Sequence, residues 1–278
     1  MKARERFRAG ANVKLREEDA ANTPLRNPKD RDKLSKDEIK KQERDATAQL
    51  TAHIAQCQEM LYAQRRQKLL IVLQGMDTSG KDGTIRALFS QINPMGLRGV
   101  TFKAPSSGEL AHDYLWRVHQ QVPGNGEIAI FNRSHYEDVL ITIVQDMIDE
   151  KECKRRYAHI RDFERMLAET GTVIVKIFLH ISKDEQRKRL QERLDDPDKQ
   201  WKFDLGDIVQ RKKWDDYQRA YERAIVATDA DHAPWYVIPA DSKTHRNLLI
   251  STLLLEIMQG LKLSFPEADA KLSKLKIV

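Results

Sequence analysis

The sequence predicts a three-layer α/β fold, in which helices cover both faces of a parallel sheet and a helical lid follows the fourth strand. Two observations indicate this class. The apolar runs are continuous rather than alternating, as in strands buried on both faces, and each run is joined to the next through a helical pattern. The predicted strands are residues 69–73, 100–102, 128–131, 173–179 and 235–238.

A long amphipathic helix precedes the first strand. Ser35 followed by Glu38 is a capping-box signature, and apolar residues then recur at helical spacing to about residue 66. The pattern leaves open whether this helix packs on the sheet of its own chain or forms an interface between subunits. Further helices are predicted at residues 82–92, 107–121, 138–148, 152–169, 183–194, 207–229 and 243–261.

The sequence divides into an arm, one domain and a tail. Residues 1–34 are rich in charge, Asn and Pro and show no apolar period, so we expect a charged N-terminal arm that packs irregularly or stays mobile. The single domain is expected to cover residues 35–262, with the lid at about 183–229. Residues 263–278 then form a C-terminal tail.

The composition excludes several classes of protein. A chain of 278 residues with 40% hydrophobic residues can bury a core, so it is not wholly disordered. No uncharged apolar run approaches the roughly 18 residues that a membrane span needs, and the first residues hold no apolar stretch typical of a secretory signal. We therefore expect a soluble cytoplasmic protein with no membrane partner.

The cysteines and the net charge narrow the possible classes of protein further. Cys57 and Cys153 are the only cysteines and lie far apart without zinc-ligand spacing, so neither a disulfide framework nor a structural zinc site is expected. The formal net charge of +6 suggests an anionic partner. Nucleic acid, a nucleotide and another phosphate polymer fit this charge equally well, so the choice depends on motifs.

A phosphate-binding loop follows the first predicted strand. Residues 75–83, Gly-Met-Asp-Thr-Ser-Gly-Lys-Asp-Gly, contain the GxxxxGK core between a strand and a helix. Such a P-loop turns backbone N–H groups toward an anion, and the helix N-terminus and the lysine add positive charge. The alternative is a glycine-rich turn with a capping aspartate. The predicted phosphate contacts are Gly75, Thr78, Ser79, Gly80, Lys81, Asp82 and Gly83.

The residue after the lysine departs from the usual P-loop pattern. A Ser or Thr commonly stands there and holds Mg²⁺, whereas this chain has Asp82. Asp77, inside the loop, is then the predicted metal ligand, because a carboxylate beside bound phosphates repels them unless a cation lies between. Mg²⁺ is the expected cofactor, with Mn²⁺ as a substitute.

Three polar side chains follow the third predicted strand. In P-loop enzymes this strand lies beside the P-loop strand and delivers a polar residue toward the metal, and Asn132 holds that position. Arg133 offers a bidentate donor to a transferring phosphoryl group, and Glu137 offers a second metal-binding carboxylate. A structural ion pair for Arg133 and a helix N-terminal charge for Glu137 are the alternatives.

Basic residues cluster in the predicted lid. Arg189 and Arg193 are four residues apart and share a helix face, with Arg187 on an adjoining face. Because lids of P-loop folds carry catalytic arginines, Arg187 and Arg193 are predicted to be catalytic. An aromatic stripe within 214–225 is interpreted as packing. The predicted lid contacts to phosphate are Lys199, Lys202, Arg211 and Lys212.

Together, these motifs resemble those of the family 2 polyphosphate kinases. The resemblance rests on residues 75–83, 131–138, 195–203 and 214–217 and extends from about residue 35 to 260. It implies a P-loop kinase-like fold, a homo-oligomer, and Mg²⁺-dependent phosphoryl transfer between inorganic polyphosphate and a nucleotide. Asn132, His135 and Glu137 differ from the commoner second motif and resemble the subgroup that accepts nucleoside mono- and diphosphates.

The resemblance also implies roles for individual residues. AMP, ADP and ATP are the expected nucleotides, with guanine nucleotides as further candidates, and no covalent enzyme intermediate or nucleic-acid partner is expected. Asp77 and Glu137 would hold the metal, Lys81 and the loop amides would hold phosphates, and the lid lysines would guide the polymer. The residues expected to face the nucleotide are Asn93, Arg98, Lys103 and Asn132.

Three other functions are alternatives to phosphoryl transfer from polyphosphate. An ATP-dependent nucleoside monophosphate kinase has the same fold but would be expected to keep Ser or Thr at position 82. A non-enzymatic polyanion- or RNA-binding protein would explain a pI of about 9.1 but not the ordered motifs. A structural helical scaffold explains neither feature.

Overall fold

A computed structural model describes residues 2–28 and 33–267 of the chain, and its centre is a five-stranded parallel sheet. The strand order is β2-β3-β1-β4-β5. The strands are β1 (Lys68–Gln74), β2 (Leu97–Thr101), β3 (Ile128–Asn132), β4 (Thr172–His180) and β5 (Trp235–Pro239). The predicted α/β class with a parallel sheet is therefore confirmed.

Helices cover both faces of this sheet. Six of the seven β1 residues are buried, because alternate side chains of the strand enter two separate cores. Leu70 and Val72 pack toward the helices at residues 137–144, 150–169 and 214–228, whereas Leu69 and Ile71 pack toward those at residues 36–64, 81–89 and 243–260. The helices are α1 (Ala3–Arg6), α2 (Lys36–Gln64), α3 (Lys81–Phe89), α4 (Ser107–Leu110), α5 (Trp116–His119), α6 (Glu137–Val144), α7 (Glu150–Glu169), α8 (Lys183–Asp195), α9 (Leu205–Lys212), α10 (Trp214–Thr228) and α11 (Lys243–Gly260).

Two predicted helices are each divided in the structure. The segment predicted as one helix at 107–121 forms α4 and α5, because the Asp113 carboxylate accepts the N–H groups of Leu115 and Trp116 and starts a new turn. The segment predicted at 207–229 forms α9 and α10. They meet at Lys213, whose ammonium donates to the Val144 carbonyl at 2.7 Å.

The long helix α2 packs on its own chain. The predicted capping box is present, since the Ser35 side chain accepts the Glu38 N–H and the Glu38 carboxylate accepts the Ser35 N–H. The buried residues Ile54 and Leu61 belong to the core that α2 shares with α3 and α11. Of the two alternatives for this helix, the structure therefore supports packing on its own sheet.

The N-terminal arm covers the β5 edge of the sheet. The Ala9 N–H donates to the Trp235 carbonyl at 2.8 Å, and the Phe7 carbonyl accepts the Val237 N–H at 2.9 Å. Phe7 and Ala9 are buried by this contact, which covers backbone groups of β5 that would otherwise stay unpaired.

Parts of the predicted arm (1 and 29–32) and most of the predicted tail (268–278) lie outside the described residues. None of the described helices is long and apolar enough to span a membrane.

Candidate active site

The phosphate loop and the second motif meet at one edge of the sheet. The loop follows β1 and the second motif follows β3, and these two strands are neighbours with Leu73 paired to Asn132. Because parallel strands end at the same edge, the carboxyl ends of β1 and β3 bring both segments together. This edge is where open α/β sheets bind ligands.

Two loop glycines are required by their surroundings. Gly75 and Gly80 have φ of 148° and 103°. A Cβ at Gly75 would lie 2.7 Å from the Leu179 carbonyl oxygen, and a Cβ at Gly80 would lie 1.8 Å from Nη1 of Arg246. The loop therefore accepts no side chain at either position, and the two glycines let its backbone follow this path.

Two buried arginines hold the loop from the protein side. Nη1 of Arg189 donates to the carbonyls of Thr78 and Ser79 at 2.9 and 3.2 Å, and Nη1 of Arg246 donates to the Ser79 carbonyl at 3.0 Å. A trans peptide keeps its C=O and N–H on opposite sides, so fixing the Ser79 carbonyl directs the Gly80 N–H away from the arginines. The Gly80 amide is thus preset for an anion.

Lys81 and Arg133 supply the positive charge of the site. Nζ of the buried Lys81 donates to the Gly75 carbonyl at 2.7 Å, and burial together with the charge of Arg133 lowers the pKa of Lys81 to about 8. Nη2 of Arg133 donates to Oδ1 of Asp77 at 2.6 Å. Although burial opposes it, the carboxylates of Glu137 and Asp77 hold the pKa of Arg133 above its ordinary value.

Carboxyl groups converge beside these cations. The carboxyl groups of Asp77 and Asp207 of α9 lie close together, and burial, followed by the charge of Asp77, raises the pKa of Asp207 to about 7. Despite burial, Lys81 and Arg133 hold the pKa of Asp77 below its ordinary value. Burial raises the pKa of Glu137, although the charges of Arg133 and Lys81 oppose this shift. The carboxyl group that contacts Asp77 is thus Asp207, which was not among the predicted ligands.

The donor set fits Mg²⁺. No ready-made cluster of three or more His, Cys, Asp or Glu residues occurs in the described part of the chain. Protein Mg²⁺ sites commonly use one or two carboxylates and complete the shell with water and substrate phosphates. The charge of Asp77 raises the pKa of Asp207, because two close carboxylates repel each other, and a divalent cation between them would neutralise the pair. These two residues could therefore hold the ion, with Glu137 nearby.

Asp82 closes one side of the loop. Its Oδ1 accepts Nδ2 of Asn132 at 2.6 Å, and its Oδ2 lies 3.8 Å from Nζ of Lys202. Asn132, predicted to face the nucleotide, therefore lies beside the phosphate loop. Lys202 also lies there, although it was predicted to guide a distant part of the polymer.

The lid arginines have different surroundings. Nη1 of Arg193 lies 3.4 Å from Oδ2 of Asp207, which connects it to the Asp77 carboxylate. Arg187 is exposed instead, and burial followed by the charge of Arg187 lowers the pKa of Arg211. The structure therefore brings Arg193 to the site but not Arg187.

The other predicted lid contacts are structural or exposed. Arg211 donates to the Lys183 carbonyl at 2.6 Å and to Oε1 of Gln186 at 2.9 Å, which ties α9 to α8. Lys199 is exposed and pairs with Asp196, and Lys212 is exposed. Surface lysines of this kind can attract a polyanion from solution without fixing its position.

Two predicted nucleotide contacts lie at the opposite edge of the sheet. Arg98 stands near the start of β2, donates to the Val122 carbonyl at 2.9 Å and lies 3.5 Å from Glu127, which precedes β3. Asn93 lies in the turn before β2, where its Oδ1 accepts the Met95 N–H. All strands of a parallel sheet start at one end of the sheet and finish at the other, and the phosphate loop follows the end of a strand. Both residues lie where strands start, so neither reaches the phosphate loop.

Lys103 lies on the side of the candidate site. It follows the carboxyl end of β2 and is exposed, and its carbonyl accepts Nη1 of Arg117 at 2.8 Å. Of the four residues expected to face the nucleotide, Lys103 and Asn132 are therefore at the edge that carries the phosphate loop.

Comparison with known proteins decides the family. The family model described as Polyphosphate kinase 2 matches residues 33–265. The chain belongs to the polyphosphate kinase 2 family. It is therefore an enzyme, and the predicted P-loop kinase-like fold and the resemblance to these kinases are confirmed.

Individual relatives support this assignment. The chain is 54% identical over 233 residues to AMP/ADP-polyphosphate phosphotransferase of Meiothermus ruber, an alignment that covers 84% of this chain and 87% of that protein. It is 45% identical over 226 residues to ADP-polyphosphate phosphotransferase of Rhodopseudomonas palustris, covering 77% and 78%. The crystal structure of polyphosphate kinase 2 from Arthrobacter aurescens TC1 superimposes with a TM-score of 0.91 at 40% identity, covering 99% and 95%.

Three residues of this polyphosphate kinase were missed by sequence reasoning. Arg189 was noted in the basic cluster but given no role, although its helical spacing from Arg193 was a usable signal. Asp207 and Arg246 carry no local pattern that separates them from other charged helix residues. Both reach the phosphate loop because α9 and the first turn of α11 lie at the carboxyl end of the sheet.

Proposed function

We propose that this kinase transfers phosphoryl groups from inorganic polyphosphate to AMP and ADP, in a Mg²⁺-dependent reaction. The observation that carries the proposal is the convergence of Lys81, Arg133 and the Asp77 carboxylate on the mouth of one phosphate loop. A site of this composition can align and neutralise two phosphate groups. The name of the Meiothermus ruber relative, which includes both AMP and ADP, supports the same acceptors.

The chemistry requires positioning more than bond making. Phosphoryl transfer passes through a loose transition state whose charge lies on the equatorial oxygens of the moving group. We assign Lys81 and the loop amides to the phosphates of one substrate, and Arg133 to the transferring group. On binding, Lys81 exchanges its contact with the Gly75 carbonyl for a phosphate oxygen, and Arg133 exchanges Asp77 for the moving group. Each cation is thus held ready by a protein oxygen.

Asp77 and Asp207 are the proposed ligands of the ion. They would hold Mg²⁺, which would supply positive charge to neutralise the charge that develops on the phosphate oxygens. Arg193 holds Asp207 in place through the lid, so lid closure and the metal site are linked. No general base is needed, because an acceptor phosphate with a second pKa near 6 is already ionised at pH 7.

The exposed lysines have a separate proposed role. Lys202, beside Asp82, is assigned to phosphates next to the loop, while Lys199 and Lys212 attract the remaining polymer by charge alone. The units of polyphosphate are all alike, so this attraction needs no defined register.

The donor and the acceptors can be tested together. The protein is mixed with Mg²⁺ and either AMP or ADP, with polyphosphate or ATP as donor, and the product nucleotides are separated by chromatography. We expect ADP and ATP to form from polyphosphate, and chelation of the metal to stop the reaction. Formation of products from ATP but none from polyphosphate would assign the activity to a nucleoside monophosphate kinase instead.

The proposed metal ligand has its own control. Asp77→Asn should lower kcat by about 10²-fold or more, because it removes charge needed in the transition state. Asp184→Asn makes the same change at an exposed position of α8 and should leave kcat unchanged. Near-normal turnover of Asp77→Asn would remove Asp77 from the metal site.

Further properties are proposed on the family resemblance. A homo-oligomer, acceptance of guanine nucleotides and substitution of Mn²⁺ for Mg²⁺ extend the proposed function, and the two free, buried thiols Cys57 and Cys153 suit a reducing compartment such as the cytoplasm. Light scattering of the protein as it elutes from a size-exclusion column would give the oligomeric state. The chromatographic assay, repeated with GMP and with Mn²⁺, would test the other two properties.

A further inference from the structure

Arg246 is a buried cation without an acidic partner. Its exposed fraction is 2%, and it forms no ion pair with any carboxylate that the structure describes. Its donors go to neutral acceptors, namely the Ser79 carbonyl and Oδ1 of Asn247. The buried cations Lys176 and Arg189 differ in this respect, since they pair with Glu164 and Glu185.

The guanidinium lies directly under the phosphate loop. A Cβ built on Gly80 would lie 1.8 Å from its Nη1, and one built on Gly83 would lie 3.6 Å from its Nη2. These glycines flank the first residues of α3, whose N-terminus carries positive partial charge. The loop backbone is therefore the layer between Arg246 and a bound anion.

The surroundings of Arg246 within the protein disfavour its positive charge. Arg189 approaches the same Ser79 carbonyl, so two guanidinium groups lie close together, and Arg189 alone has a carboxylate partner, Glu185, at 2.8 Å. Burial and the charge of Arg189 lower the pKa of Arg246 to about 9, which leaves it charged at pH 7. A buried charge without a counter-charge is costly, so the arrangement calls for an anion that the chain does not supply.

We propose that the phosphate group bound in the loop is the counter-charge of Arg246, which raises the affinity of the loop for phosphate without touching the substrate. This inference rests on the proposed function, because it needs an anion in the loop. By linkage, phosphate and Arg246 stabilise each other, so the bound protein gains more stability than the hydrogen bonds to the loop amides alone would give.

The first test changes charge and hydrogen bonding separately. Arg246→Gln keeps a donor for the Ser79 carbonyl but loses the charge, whereas Arg246→Lys keeps the charge. With inorganic triphosphate and Mg²⁺ as the probe, calorimetry should show roughly tenfold weaker binding for Arg246→Gln and about wild-type binding for Arg246→Lys. Lys243→Gln removes an exposed charge three residues earlier on α11 and should leave the Kd unchanged.

The second test supplies the missing counter-charge. Asn247→Asp keeps the shape and the acceptor of Asn247, whose Oδ1 receives Nη2 of Arg246 at 2.9 Å, and adds a negative charge there. We expect the thermal midpoint of the free protein to rise and its affinity for triphosphate to fall. A role limited to holding the loop predicts a raised midpoint with unchanged affinity, so this variant separates the two.

Several results would overturn the inference. Wild-type affinity in Arg246→Gln, equal losses in the Gln and Lys variants, or a lowered free-protein midpoint in Asn247→Asp would each do so. If the unmodified protein does not bind triphosphate at all, the proposed function fails instead, and the two failures are distinguishable. The free-protein midpoint of each variant, measured first, shows that it folds.

Discussion

Thr78 and Arg133 adopt left-handed backbone conformations at the candidate active site, with φ of 63° and 62°. Such angles are unusual for a β-branched or a long side chain and persist where the surroundings fix them. Arg189 holds the Thr78 carbonyl, and Asp77 holds the Arg133 side chain. The two strained residues therefore lie at the proposed phosphate site. The contacts around them maintain their backbone conformations.

At the scale of single residues, Arg187 and Arg193 form a matched pair for mutation. Both were predicted to be catalytic, but only Arg193 reaches Asp207. Arg193→Ala should lower kcat by about 10²-fold or more, because it releases the lid and the Asp207 carboxylate from the site. Arg187→Ala should stay within about threefold of wild type. Steady-state kinetics at saturating substrates measures both, and a collapse of kcat in Arg187→Ala alone would reverse the assignment.

At the scale of elements, Glu43 joins the arm, α2 and α11. Its carboxylate accepts Nε of Arg26 at 2.7 Å and lies 2.6 Å from Nδ1 of His245. Although burial opposes ionisation, these contacts and one from Thr244 lower the pKa of Glu43 from 4.5 to about 2. Ionised Glu43 therefore holds three segments together that are distant in sequence.

This junction predicts a pH-dependent loss of stability. Glu43→Gln should lower the free energy of unfolding at pH 7 by on the order of 3 kcal/mol. Because the folded pKa is below the unfolded value of 4.5, the wild-type advantage is complete above about pH 4.5 and declines as the pH falls toward 2. Urea unfolding of both proteins between pH 7 and pH 3.5 measures the difference. Glu59→Gln, at an exposed position of α2, is the control, and a difference independent of pH would contradict the role of the charge.

A buried ion pair supports the segment that follows β3. Nζ of Lys176, on β4, donates to Oε2 of Glu164 at 2.6 Å and to the Tyr136 hydroxyl at 2.9 Å. Tyr136 in turn donates to Oε1 of Glu164 at 2.8 Å, and all three side chains are buried. Since Tyr136 lies between Arg133 and Glu137 in sequence, this network anchors the second motif to α7 and β4.

Removing both members of this pair should lower stability by less than the two single changes added together. Glu164→Leu or Lys176→Met alone should lower the free energy of unfolding by about 3–5 kcal/mol, because a buried charge loses its partner. The double variant Lys176→Met with Glu164→Leu should cost clearly less than the sum of the single changes. Urea unfolding gives the three values, and strict additivity would show that the two charges do not interact.

At the scale of the whole molecule, the basic side chains around the phosphate loop form a buried set, and those on the lid form an exposed set. Lys81, Arg189 and Arg246 are buried around the phosphate loop, whereas Lys199 and Lys212 are exposed on the lid. The formal net charge is +6. Salt screens exposed charges first and buried charges little, so the two sets should respond differently to ionic strength.

The division predicts how salt affects the kinetics. Raising KCl from about 0.05 to 0.3 M should raise KM for long polyphosphate several-fold and KM for triphosphate much less, because only the long chain extends past the buried set. At saturating polymer kcat should change little, since uniform attraction does not lower the barrier. Sucrose at matched osmolarity is the control. An equal rise in KM for both donors would place the exposed lysines in contact with the first phosphates.

The sequence alone predicted the five strands, most of the helices and the phosphate loop of this kinase. Buried parallel strands are continuous apolar runs, and the loop at 75–83 lies between its strand and its helix, so both can be recognised from local spacing. Asp77 and Lys81 were therefore found without coordinates.

Only the tertiary structure decided which distant residues join them. Asp207 and Arg246 approach the loop because α9 and the first turn of α11 lie at the carboxyl end of the sheet, and nothing in their own neighbourhood in sequence marks them. For the same reason Arg98 was misplaced, since strand direction, not residue type, puts it at the opposite edge. Local patterns record local hydrogen bonding and burial, whereas contacts between remote residues depend on the path of the whole chain.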